Sequence, residues 1–137
     1  AGSVAALALA RLAAITGDET CLARAEQSLA AVGSVLVNSP LAFAHLVEAA
    51  VFLELGAVEV VVVGDRPDLV AAASAGYVPQ RVLVWGEAPR SPLVVGRALE
   101  GAYVCRRGAC LAPVTDPAEI PGAIERAVTD AKAMISL

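Results

Sequence analysis

Aromatic side chains are scarce in this chain of 137 residues, at 4%, and a single lysine, Lys132, stands beside nine arginines. Basic residues number 10 against 14 acidic ones, for a net charge of −4. No basic stripe with interleaved aromatics occurs, so nucleic-acid binding has no electrostatic footprint. Long uncharged apolar runs are missing too. A membrane-spanning helix needs about 20 such residues, and the best window, Leu41 to Val63, holds His45, Glu48, Glu54 and Glu59. The opening Val4–Ile15 stretch lacks a basic leader and carries Arg11 within it, unlike a secretory signal. No membrane partner is expected.

Cysteine is sparse and odd in number, at three, which with no signal peptide argues for a reducing, cytoplasmic compartment over a disulfide framework. No Gly-x-Gly-x-x-Gly fingerprint and no phosphate loop are present, so no cofactor is implied. No serine sits in a Gly-x-Ser-x-Gly elbow, and no pair of carboxylates stands out, so no catalytic residue is assigned.

What is abundant is Ala and Val. The chain is 58% hydrophobic with a mean hydropathy of +0.70, well above an ordinary soluble domain. With no membrane span, the excess points to a fragment whose apolar faces pack on a missing remainder of a parent polypeptide, or on a second copy. The absence of an initiator Met fits the same expectation. The arginine and alanine bias suggests a GC-rich bacterial source.

The pattern divides at residue 56. Residues 1–56 predict three antiparallel helices, a helical segment joined by short turns. Ser3 caps the first, with Val4, Leu7, Leu12 and Ile15 on its inner face; Gly17-Asp18 stops it and restarts the next. Leu22, Ala25, Leu29, Val32 and Leu36 mark the second. Asn38-Ser39-Pro40 ends in a cap for the third, which runs through Phe43, Leu46, Val47 and Ala50 to Gly56. Residues 57–137 predict a small α/β unit, with strands at Val58–Val63, Arg81–Trp85 and Ala102–Cys105. A helix lies between the first two strands, after Asp65-Arg66-Pro67. A loop spans Glu87–Pro92, with a short helix at Leu93–Leu99. Thr115-Asp116-Pro117 opens a last helix with Ile120, Ile124, Val128, Ala131 and Ile135 on one face. Alternation of strands with helices predicts a three-stranded, mostly parallel sheet.

Three places could carry chemistry. Cys105 and Cys110 are separated by Arg106-Arg107-Gly108-Ala109, and a reversal at Gly108 could bring the sulfurs together as a redox pair. The alternative is an extended loop with two independent thiols. A zinc site would need four ligands, and the remaining donors, Cys21 and His45, have no telling spacing, so no metal is assigned. Gly64-Asp65 ends the first strand, where open α/β sheets place ligands, although Asp65 also suits a helix cap. His45 is the single histidine; a ligand role competes with simple packing beside Phe43, Leu46 and Val47.

Several short motifs occur in a telling order: Ala1-Gly2-Ser3-Val4-Ala5-Ala6-Leu7, Arg11-Leu12, Thr16-Gly17-Asp18, Pro40-Leu41-Ala42-Phe43 and Glu59–Asp65. They continue with Ala102-Tyr103-Val104-Cys105, Cys110 and Pro113-Val114-Thr115-Asp116-Pro117. Together they resemble the C-terminal part of the YyaL-type thioredoxin-domain-containing proteins, a family that includes an animal spermatogenesis-associated relative. The resemblance implies an N-terminal thioredoxin-like domain, an α/α toroid similar to N-acylglucosamine 2-epimerases, and an α/β tail. On that footing residues 1–56 correspond to the end of the toroid, and residues 57–137 to the tail. The expected function is a non-catalytic structural or interaction segment. A thiol redox or metal-linked module using Cys105 and Cys110 is one alternative, and part of a carbohydrate-processing enzyme is another.

Overall fold

The computed structural model describes residues 2–86 and 91–135, with side chains described for residues 3–86 and 91–129. It is a mixed α/β structure whose described residues form six α-helices, three 3-10 turns and a four-stranded sheet. Two compact units divide the chain, Ala1–Gly56 and Ala57–Leu137.

The first unit holds α1 (Gly2–Thr16), α2 (Glu19–Ala30), α3 (Gly33–Asn38), a 3-10 turn (Pro40–Phe43) and α4 (Ala44–Leu55). Gly17 takes a φ of 71° and ends α1. Asp18 then caps α2, its carboxylate accepting from the Thr20 and Cys21 amides at 2.8 and 3.3 Å. These amides hold the Asp18 carboxyl below its usual range. The predicted second helix is broken in two: Val32, at φ −125° and ψ 8°, leaves helical geometry just before the poor helix former Gly33. Ser39 supplies no side-chain cap; Pro40 instead starts a 3-10 turn.

Packing in this unit also differs from the expected face of α1. Its buried residues are Ala6 and Ala10, while Val4 and Leu12 are exposed. Ala6 packs with Leu46 and Ala49 of α4, beside Leu7, Leu29, Val32, Leu36 and Phe43. Alanine at a contact lets two helix axes approach to the short end of the usual range, about 8 Å. Val4 and Leu12, two positions from Ala6 and Ala10, are turned outward, while Leu7 packs against the contact.

The second unit is built on β1 (Val58–Val63), whose residues are β-branched except Glu59. α5 (Pro67–Ser74) carries the chain over to β2 (Arg81–Trp85), and β2 pairs with β1 in parallel, Val58 opposite Arg81. β3 (Gly101–Arg106) joins the other edge of β1 antiparallel, and β4 (Ala109–Cys110) folds back on β3. The sheet order is β2-β1-β3-β4. The expected three-stranded, mostly parallel sheet is therefore corrected to four strands with one parallel pair. Two causes are local. A parallel return needs a long crossover, yet between β2 and β3 only one 3-10 turn, Pro92–Val94, is described. The helix expected over Leu93–Leu99 stops there, and Gly96 takes a φ of 79°. The fourth strand arises because Arg107 and Gly108, at φ 48° and 81°, form a two-residue hairpin turn. Of the Glu87–Pro92 loop, residues 87–90 lie outside the described residues, as do the side chains of Ala131 and Ile135.

Val58, Val60 and Val62 of β1 share one sheet face with Ala102 and Val104, packed against Leu69 and Ala73 of α5. Ile120, Ala123, Ile124 and Ala127 of α6 (Ile120–Ile135) complete this core. Arginines tie the helices to the sheet. Arg81 donates to the carbonyls of Ser74 and Ala75 at 3.2 Å each, closing the C-terminal end of α5. Arg106, 8% exposed, donates to Ala127 O of α6 at 3.1 Å. Its burial lowers the guanidinium pKa.

Asp116 rather than Thr115 caps the 3-10 turn Pro117–Glu119 that leads into α6, accepting from the Ala118 amide at 2.9 Å. Replacing Asp116 with Ala is expected to lower stability by about 1 kcal/mol, and replacing Thr115 distinctly less. Urea denaturation of both variants checks the assignment.

Candidate functional site

Two places in the second unit bring polar groups together, one near each end of β1. At its carboxyl end, Val62, Val63, Gly64 and Asp65 line an open cleft of about 440 Å³ with Trp85, Gly86 and Val94. Gly64 takes a φ of 93°, and its carbonyl accepts from Trp85 Nε1 at 3.1 Å. A Cβ on Gly64 would lie 2.6 Å from Glu100 Cγ, so the backbone passes close beneath that side chain. Asp65 is exposed. It does not cap α5: Arg66 occupies that position and makes no side-chain cap bond, and Pro67 at the first helical position leaves one amide fewer to satisfy. Arg66 instead grips Asp68 at 2.6 and 2.9 Å and donates to Thr115 O at 2.7 Å. This pairing holds the Asp68 carboxyl below its usual range and raises the Arg66 pKa.

Four residues further along β3, about 13 Å at strand spacing, Cys105 lies opposite Glu59 of β1 and Cys110 of β4. Cys105 and Cys110 are joined as a disulfide. Side chains at facing positions share a sheet face, so Glu59 and the disulfide form one row across three strands. Arg97 sits on this row. Its Nη2 donates to Cys105 Sγ at 3.2 Å and to Cys110 Sγ at 3.5 Å. Its guanidinium carbon is 5.7 Å from the Tyr103 ring centroid, a cation–π distance. The Tyr103 hydroxyl donates to Leu99 O at 3.1 Å and accepts from Leu99 N at 3.2 Å, which pins the segment carrying Arg97. Burial pushes the Glu59 carboxyl up, and Arg97 pulls it partly back.

The remaining donors stand apart. Cys21 is unpaired as a cysteine, its Sγ donating to Asp18 Oδ2 at 3.5 Å. Burial and the Asp18 carboxylate push this thiol up, away from thiolate reactivity. His45 lies in the first turn of α4, exposed, with Nδ1 3.0 Å from Glu48 Oε2. A pair so exposed contributes little. Among the described residues no group of three or more His, Cys, Asp or Glu could hold a metal ion. No helix among them is long and apolar enough to cross a membrane. Arg97, Tyr103, Glu59 and Trp85 were not singled out from sequence. Only the strand register could have revealed Glu59, and Arg97 lies in a stretch with no periodic signal.

Gly64→Ala is expected to cost about 1–2 kcal/mol through the left-handed backbone alone, with a change in Trp85 fluorescence; an unaltered denaturation midpoint would refute the strain. Glu59→Gln gives a signed pH effect. The folded carboxyl is raised, so wild-type stability falls as pH rises from the unfolded Glu value through the folded one. The variant should therefore be more stable than wild type at neutral pH, and the difference should vanish in acid. Denaturation series at both pH values measure it.

No protein-family description matches the sequence, and no solved structure matches it. One human protein does. Spermatogenesis-associated protein 20 is 30% identical over 136 aligned residues, covering 88% of this chain and 17% of that protein. This relative lends nothing to the bacterial origin suggested by composition. The chain is similar, over most of its length, to one segment of a much longer human protein.

Proposed function

We propose that this chain is a structural and interaction segment of a larger protein related to spermatogenesis-associated protein 20, without catalytic activity of its own. The observation that carries the reading is the disparity of coverage, 88% of this chain against 17% of the relative. The finer reading follows the motif order along the sequence. Residues 1–56 form a domain that ends an α/α toroid, and residues 57–137 form an α/β domain after it. The YyaL-type resemblance adds a thioredoxin-like domain elsewhere in the parent.

Exposed apolar side chains support an interaction role. Val37 at the end of α3 is 82% exposed, and Leu41 in the following turn is 94% exposed. Val4 and Leu12 of α1 and Val35 of α3 are exposed as well. Apolar surface gathered in this way marks a contact face when it is contiguous. The partner is the remainder of the parent polypeptide, or a second copy when that remainder is absent; neither nucleic acid nor a membrane is involved.

The purified chain is expected to self-associate or to bind an apolar dye. Combined Val37→Thr and Leu41→Gln substitutions should reduce this without lowering stability. Light scattering and dye fluorescence report the result. A monodisperse monomer that stays silent to the dye at high concentration counts against the interaction role.

A further inference from the structure

We propose that the Cys105–Cys110 disulfide is a reducible pair that exchanges with a dithiol, entered at Cys110, with Arg97 holding the thiolate released at Cys105. This goes beyond a structural role for the segment. It rests on an asymmetry in the pair and on the placement of one cation.

The two sulfurs differ in access. Cys105 is 1% exposed in the middle of the sheet, whereas Cys110 lies on the exposed edge strand β4. An incoming thiolate reaches Cys110 Sγ, so the leaving sulfur is that of Cys105. That sulfur has Arg97 Nη2 at 3.2 Å. Exchange is faster when the leaving thiol has a lower pKa, and a guanidinium beside a sulfur lowers it. Arg97 is positioned for this before any reduction occurs. Tyr103 holds the segment through Leu99, and Arg97 Nε is buried without a hydrogen-bond partner among the described residues. The other charged groups around the row are few among the described residues. Glu59 of β1 faces Cys105 and offsets part of the positive charge, and its raised carboxyl limits that offset. Arg106 points to the opposite face, toward α6. Arg107 sits in the hairpin turn and is exposed.

The exchange balances in two steps. One thiolate of the dithiol attacks Cys110 Sγ; the S–S bond breaks, and its electron pair leaves on Cys105 Sγ beside Arg97. The second thiol of the dithiol then gives up its proton and attacks its own partner sulfur in the mixed disulfide. This closes the dithiol into a disulfide and expels Cys110 as a thiolate. Two electrons pass to the pair and two protons follow. The dithiol is oxidised and the cysteines are reduced.

The test uses the full chain with Cys21→Ser, so that only the pair titrates, and dithiothreitol as the probe. After reduction, ultraviolet thiolate absorbance should rise at a pH below the free-cysteine value of about 8.5. Arg97→Gln should move that rise upward and slow reduction by dithiothreitol about tenfold, while Arg97→Lys retains most of the effect. Independently, Cys105→Ser should leave a Cys110 that a monothiol disulfide reagent labels rapidly. Cys110→Ser should leave a Cys105 that it labels about tenfold more slowly. In the Cys21→Ser chain, both thiols of the reduced pair titrating at or above the free value, or equal labelling of the two single cysteines, overturns the proposal. Arg97→Lys and the labelling pair decide the matter even where Arg97→Gln does not fold. None of these readouts depends on whether the chain belongs to a longer protein.

Discussion

A strand with neighbours on both edges must satisfy its backbone twice over and hide both of its faces, and β1 is the strand on which the second unit depends. Its hydrogen bonds go to β2 on one side and β3 on the other. Val58, Val60 and Val62 anchor the core beneath α5 and α6. The opposite face carries Glu59 and Val61, which set the register for Cys105 and Tyr103. Slipping β1 by one residue would exchange these two sets of side chains. It would turn Glu59 into the core and dismantle the row that contains the disulfide.

Few aromatics are available to lock layers together, and arginine takes much of that work. Arg81 closes the end of α5, Arg66 reaches the strand-to-helix connection at Thr115, and Arg106 crosses to the carbonyls of α6. Arg81 meets carbonyls at a helix end and Arg66 one in a connection, where backbone oxygens otherwise lack partners, whereas Arg106 reaches carbonyls within α6. A planar fork with five donors does this better than an ammonium. Arg97 is used differently. It faces two sulfurs and an aromatic ring in place of carbonyls, which sets its surroundings apart from the other three.

The two units use alanine and valine for separate ends. In the helices, Ala6, Ala10, Ala25 and Ala49 are buried because small side chains permit close helix contact. Leu46 and Phe52 of α4 are buried with them, while Val4, Leu12, Val35, Val37 and Leu41 remain outside. In the sheet, valine fills the buried faces of β1 and its neighbours, where a branched side chain suits the pleated surface. A composition this apolar therefore yields an ordinary sheet core together with a helical surface that stays unusually apolar.

How much was legible in the residues follows the range of the forces involved. Local chemistry was readable: the β-branched run of β1, the Gly17-Asp18 stop and cap, and Pro117 opening the last helical stretch all arise from neighbours in sequence. The breaks at Val32 and Gly33 were missed because periodicity ran across them, and the inner face of α1 was misplaced because helix contact selected alanine over leucine. Strand direction could not be read, since it depends on which edge of β1 the chain meets after an irregular connection. The sequence by itself determined where β1, β2 and the last helical stretch begin and that Cys105 and Cys110 flank a glycine able to reverse the chain. Only the tertiary structure decided that Cys105 faces Glu59, that Cys110 takes the outer edge, and that Arg97 stands over both sulfurs. Those placements are set by hydrogen-bond register and packing between distant segments, which no local pattern encodes.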